Sequence, residues 1–136
     1  MNDRSQYLLK FRPEVSPKVV NESMSPSERF QNQTLRPVLK FQNLILIAAF
    51  RNYITKHKNK FYELSLEKRM EFIENAVQRD IKFRNSLKGI IIGLFTEEEY
   101  QIYIQNSSAL NKRMMNLVIK RLQDQIQLFE VEALIY

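Results

Sequence analysis

The sequence predicts an all-α fold: a compact bundle of about five helices over residues 25–136, preceded by a flexible arm over residues 1–24. Three observations predict it. Two glycines and four prolines in 136 residues leave few of the tight turns that a many-stranded sheet needs. Apolar residues recur three and four apart through most of the chain after residue 25. Helix-start signatures stand before several of those stretches. Hydrophobic residues make up 44% of the chain, ordinary for a globular domain, and the length suits one domain with a sizeable core.

In the arm, Pro13 and Pro17 interrupt any helix, and Tyr7, Leu8, Leu9, Phe11, Val15, Val19 and Val20 keep no sustained period. The segment is expected to be flexible at its start and to dock part of itself on the body. Ser25, Pro26, Ser27 and Glu28 then read as an N-cap, a first-turn proline and a capping-box glutamate, opening a short helix over Pro26–Gln33. Thr34 can cap a second helix running from about Leu35 to Lys58, with Pro37 in its first turn, where the missing N–H does no harm. Its polar line is Arg36, Lys40, Asn43 and Arg51. Ile47 falls within that line, so around Leu44–Phe50 the helix is apolar on every side. Such a helix is central in its bundle, covered by another segment, or part of an interface.

Ser65 starts a third helix with a stripe of Leu66, Met70, Ile73, Val77 and Ile81. It either continues to Ile92 or breaks at Asp80 or Asn85, each able to cap a new segment. Next comes Leu87–Phe95, among the most apolar runs, which holds both glycines. Gly89 and Gly93, four apart, would share a helix face that a neighbouring helix could approach closely. Alternatively Gly93 ends the helix in a left-handed conformation ahead of the capping box Thr96–Glu99. Gly89 then sits in mid-helix at a cost of about 1 kcal/mol against alanine. Thr96 opens a helix over Glu97–Gln105 with Tyr100, Tyr103 and Ile104 inward. Ser107 or Ser108 opens the last, over Ala109–Phe129, with a seam of Leu110, Met114, Leu117, Val118, Leu122, Ile126 and Phe129. The tail, Glu130–Tyr136, is apolar enough to pack.

The net charge is +6 and uneven. Residues 25–64 carry seven basic and two acidic side chains, whereas residues 96–136 carry four and six. A local excess of this kind invites an acidic partner. The absence of cysteine excludes disulfides and thiolate metal sites. The longest apolar runs are far short of a membrane span and the N-terminus has no signal-peptide core, so a cytoplasmic protein with no membrane partner is expected.

Candidate chemistry is sparse. His57, the one histidine, has no second histidine or matched carboxylate at helical spacing for a metal, and reads as an exposed helix-end residue. Glu67, Glu71 and Glu74 could serve acid–base work or bind a hard cation, but read as a solvated face. No serine has a plausible base, and no phosphate loop, dinucleotide fingerprint or zinc motif occurs. No cofactor is expected. The best positive signal is basic. Arg51, Lys56, Lys58 and Lys60 alternate with Tyr53, Phe61 and Tyr62, and a second group follows at Arg79, Lys82, Arg84 and Lys88. These could hold phosphates and stack unpaired bases. Equally, the lysines could complement a helix C-terminus with the aromatics turned inward, and Asp80 could pair with Arg84.

The run Asn75–Thr96, NAVQRDIKFRNSLKGIIIGLFT, together with the later Leu110–Met114, LNKRM, resembles a small family of uncharacterised bacterial proteins over about residues 27–129. Some members carry the label glyoxalase. That label would imply a β-rich metalloenzyme with His and Glu ligands, and this chain departs from it on both counts: it reads as helical and has one histidine. No catalytic residue is carried over. The expected role is a non-catalytic protein-interaction or assembly module, acting with a protein partner or as a homodimer, with Ile47 as a possible interface residue. A nucleic-acid-binding module using the two basic groups is second, and a metal-dependent glyoxalase-like enzyme third.

Overall fold

The computed structural model describes residues 2–13 and 21–130, and no strand occurs among them. The chain is all-α. The expected contributions of Val15, Pro17, Val19, Val20 and the tail from Val131 onward lie outside the described residues.

The first correction is at the N-terminus. Asp3–Phe11 forms a helix, α1, rather than an unstructured arm. The Asn2 side chain accepts the Ser5 N–H at its start, and Asp3 complements the positive end of its dipole. Its apolar residues Tyr7, Leu8 and Phe11 share one face, but Tyr7 and Phe11 stay exposed, and polar contacts hold α1 to the body.

Ser25 accepts the Glu28 N–H and Pro26 sits in the first turn of α2, Pro26–Phe30, as expected. Beyond it the chain stays helical. A π-helical turn, Gln31–Leu35, carries it directly into α3, Arg36–Phe41. In that turn the Arg36 N–H reaches back to the Gln31 carbonyl, and Pro37, which has no N–H, follows in the first turn of α3. Thr34 is therefore no cap. It is buried, and its hydroxyl donates to Glu99 instead. The single helix expected over Leu35–Lys58 is broken at Gln42, and α4 is Asn43–Lys56. The Gln42 amide donates to the Ile90 carbonyl, which pins that break against a later part of the chain.

After a 3-10 turn at Lys60–Glu63, Ser65 caps α5, Leu66–Arg79. The break comes at Asp80. Its extended backbone ends α5, and its side chain accepts the Phe83 N–H to open α6, Ile81–Ile92. This break re-aims the chain. Ile81 is consequently exposed, as is Leu66 in the first turn of α5, and Ala76 joins Ile73 and Val77 in the core instead. Gly93 ends α6 in a right-handed conformation, φ −58°, rather than the expected left-handed one. A Cβ there would lie 3.0 Å from the Gly89 carbonyl oxygen, so close backbone approach is what favours glycine. Gly89 itself faces open space, and no helix packs upon it.

Thr96 and Glu99 complete a reciprocal capping box on α7, Glu97–Gln105. Only Tyr103 turns fully inward, because the short helix lies at the surface. Tyr100 and Ile104 are exposed. Asn106, not a serine, precedes α8, Ser107–Asp124, and a final 3-10 turn covers Ile126–Leu128.

α4, α5, α6 and α8 enclose the core. Its centre is Phe50, fully buried and ringed by Phe61, Phe72, Phe83 and Phe129 at centroid distances of 5.0 to 6.3 Å. Edge-on ring pairs of this sort contribute beyond the area they bury.

Candidate functional site

Two surfaces stand out, at opposite ends of the α3–α4 segment. The first is built by the docking of α1. Arg4 donates to the carbonyls of Phe95 and Gly93, both at 2.8 Å, and Arg12 donates to the Leu94 carbonyl at 2.7 Å. These are carbonyls that the end of α6 leaves without helical partners, and two guanidinium groups from a remote helix satisfy them. Arg12 also meets Glu99 at 2.6 Å. Burial pushes the Glu99 carboxyl up. The hydrogen bonds from Arg12, the Thr96 N–H and Thr34, with the Arg12 charge, outweigh that and hold it below the ordinary carboxylate range.

Because α1 is held by these polar clamps, its apolar side chains do not close against the body. A cavity of about 330 Å³ is left between α1 and α3, lined chiefly by Tyr7, Leu8, Phe11, Val38, Phe41 and Leu94. Both lining arginines are already engaged, so the hollow is apolar in character. Phe41, which lines it, is followed by Leu44 and Ile45 at spacings of three and four residues, and the three are 50%, 81% and 50% exposed. The reading of Leu44–Phe50 as covered on every side is therefore corrected at Leu44 and Ile45.

Ile47 is different. It is buried in the core and offers no surface to a partner. Its row on α4 explains why. One turn before it, Asn43 exchanges hydrogen bonds with Gln125, and one turn after it, Arg51 donates to the Leu128 carbonyl at 2.8 Å. The end of α8 and the following 3-10 turn thus lie along the supposed polar line and cover Ile47.

The second surface is the C-terminal end of α4. There the Tyr53 hydroxyl donates to Asp80 at 3.1 Å. Burial, that hydrogen bond and the Asp80 charge push the Tyr53 hydroxyl up to about 12. The Phe83 N–H holds the Asp80 carboxyl low, aided by Tyr53 and the nearby His57. The exposed His57 ring lies 4.1 Å from Tyr53, centroid to centroid, and Tyr53 lies 4.3 Å from Phe83 on its other side. A hollow of about 350 Å³ opens here, with Tyr53, Asp80 and Phe83 in its wall and Lys56, His57 and Lys82 at its edge. A second, of about 260 Å³, adjoins it across His57 and adds Lys58 and Lys60.

The two basic groups are thus brought together only in part. Lys56, Lys58, Lys60 and Lys82 share this end, are exposed, and make no ion pair with a described carboxylate. Arg51 is withdrawn: it is spent on the Leu128 carbonyl and lies over the Phe129 ring. Arg79 and Lys88 line neither hollow, nor does the half-buried Arg84. The Asp80–Arg84 pair does not form, since Asp80 serves as a cap. Among the expected stacking rings, Phe61 is fully buried, and His57 provides the exposed ring instead. Glu67, Glu71 and Glu74 are exposed. Among the described residues no group of three or more His, Cys, Asp or Glu could hold a metal ion, and no helix is long and apolar enough to cross a membrane.

No protein-family model, no curated protein and no solved structure matches this chain.

Proposed function

We propose that the protein is a non-catalytic assembly module that pairs with a second copy of itself through the face formed by α1, α3 and the start of α4. The observation that carries this is a knob beside a hole. Leu44, 81% exposed, follows three residues after Phe41, which lines the apolar cavity together with Tyr7 and Phe11. A two-fold interface needs one patch that is complementary to itself, and a protrusion adjoining a hollow of side-chain size meets that need. Exposed apolar side chains grouped in this way mark an interaction surface far better than scattered ones. Of the polar groups nearby, Arg12 is paired with Glu99 and Arg4 donates to two carbonyls, so both already have hydrogen-bond partners.

Sedimentation over a wide concentration range tests the proposal. A concentration-dependent dimer is expected, with Leu44→Asp shifting it to a monomer that still shows the wild-type helical circular dichroism. A wild-type chain that stays monomeric at every concentration overturns self-association.

A further inference from the structure

We propose that the opposite end of the molecule, around His57, binds unpaired nucleic-acid strands: a base lies on the His57 ring or in the Tyr53–Phe83 hollow, and its phosphates lie on Lys56, Lys58, Lys60 and Lys82. This proposal is independent of self-association, because none of these residues belongs to the α1–α3 face.

Three observations converge. First, the cations are available. All four lysines are exposed and make no ion pair with a described carboxylate, so a polyanion need not displace an existing partner. Second, they surround a concave surface rather than a flat one. Two hollows meet at Lys56 and His57, which belong to both. Third, the floor is aromatic and layered. His57 and Phe83 each lie against Tyr53 as tilted ring neighbours, with interplanar angles of 31° and 33°. The outermost ring, His57, is exposed and can extend the stack by one base.

The chemistry selects the ligand. Lysines alone would serve any acidic polymer, including an acidic peptide. An exposed ring face within the basic hollow adds nothing for carboxylates but contributes to binding a planar base. Duplex ends aside, only unpaired strands present base faces. The single carboxylate in the hollow, Asp80, is occupied by the Phe83 N–H and the Tyr53 hydroxyl, which lessens its repulsion of a phosphate.

The backbone supports the same reading. Lys58 and Asn59 both adopt positive φ, 62° and 58°. The Lys58 N–H donates to the Thr55 carbonyl and the Asn59 N–H to the Ile54 carbonyl, the pattern by which a helix commonly ends in a left-handed residue. Here it turns the chain so that Lys58 and Lys60 face the same hollow as Lys56.

The test is fluorescence anisotropy with a labelled ten-nucleotide oligothymidylate, with duplex DNA of equal length and an oligoglutamate peptide as competitors. Binding at low salt is expected, competed poorly by duplex and peptide. Changing Lys56, Lys58 and Lys60 together to Gln should lower the log–log salt slope by about 2, at roughly 0.7 per phosphate contact. His57→Ala should weaken binding about tenfold or more at unchanged slope, as loss of one stacking ring would. All four positions are exposed, so the variants should melt like the wild type. No binding at low salt overturns the proposal. So does binding that oligoglutamate competes equally and His57→Ala leaves unchanged, which would reduce the site to unspecific charge.

Discussion

The Arg12 guanidinium lies 2.6 Å from the Glu99 carboxylate, and their side chains are only 7% and 15% exposed. This pair joins α1 to the first turn of α7 across most of the chain. It also fixes Thr34 of the π-helical turn, whose hydroxyl donates to the same carboxylate oxygen at 2.8 Å. Arg12→Leu leaves Glu99 largely buried without its cation. A loss of about 2 kcal/mol is expected, readable as a lower urea midpoint. An unchanged midpoint would mean that α1 contributes nothing to stability.

The same carboxylate makes stability depend on acid. Its folded-state pKa lies below the ordinary 4.5. A carboxyl depressed by folding stabilises above its unfolded pKa, and that stabilisation is lost as pH falls through the folded value. Wild type should therefore exceed Glu99→Gln at pH 7, and the gap should narrow as pH falls below about 4.5 toward 2. A gap that is equal at both pH values would contradict the assignment.

The two glycines should respond in opposite directions to alanine. Gly89 has open space around its would-be Cβ, so Gly89→Ala should stabilise by about 1 kcal/mol through helix propensity. At Gly93 the added Cβ meets the Gly89 carbonyl oxygen at 3.0 Å, and Gly93→Ala should be destabilising. Paired thermal melts decide this, and two shifts of the same sign would count against it.

What the sequence made legible was local. Ser25, Ser65, Asp80 and Thr96 cap helices because each acts on an N–H three residues away, a distance visible in the sequence. Gly93, standing just ahead of the Thr96–Glu99 capping box, likewise located the end of α6. What stayed hidden depends on remote partners. α1 is held by groups 82 to 95 residues away, so no periodicity in its own stretch could announce how it docks. Arg51 read as a free cation until the Leu128 carbonyl stood beside it. Phe61 read as a stacking ring because the pattern of alternating basic and aromatic residues does not say which way the 3-10 turn after α4 rotates.

Ile47 and Leu44 lie three residues apart and should behave oppositely. Ile47 is buried under the end of α8, so Ile47→Ala should cost about 2–5 kcal/mol, as for a core cavity. Leu44 is 81% exposed in the single chain, so at concentrations where the protein is monomeric Leu44→Ala should change stability by less than about 0.5 kcal/mol. Denaturant titration of both variants checks this. A costly Leu44→Ala with a mild Ile47→Ala would reverse the assigned face of α4.

Lys58 offers a test of whether function holds the backbone in an unfavourable shape. Its φ of 62° places a β-carbon where left-handed backbone crowds it against the carbonyl. Glycine has no such penalty, and no hydrogen bond of the Lys58 side chain is lost with it. At the α4 end the Lys58 N–H donates to the Thr55 carbonyl and the Asn59 N–H to the Ile54 carbonyl, both at 3.1 Å, and Lys58→Gly keeps both. Lys58→Gly should therefore stabilise the protein by about 1 kcal/mol, offset in part by the greater freedom of glycine in the unfolded chain. The melting temperature should rise by roughly 3 °C at most. If Lys58 contacts a phosphate, the same variant should bind oligothymidylate more weakly and with a salt slope lower by about 0.7. Stability gained together with affinity lost is the expected pair of readings. A variant less stable than wild type would show that the left-handed turn at Lys58 is not strained.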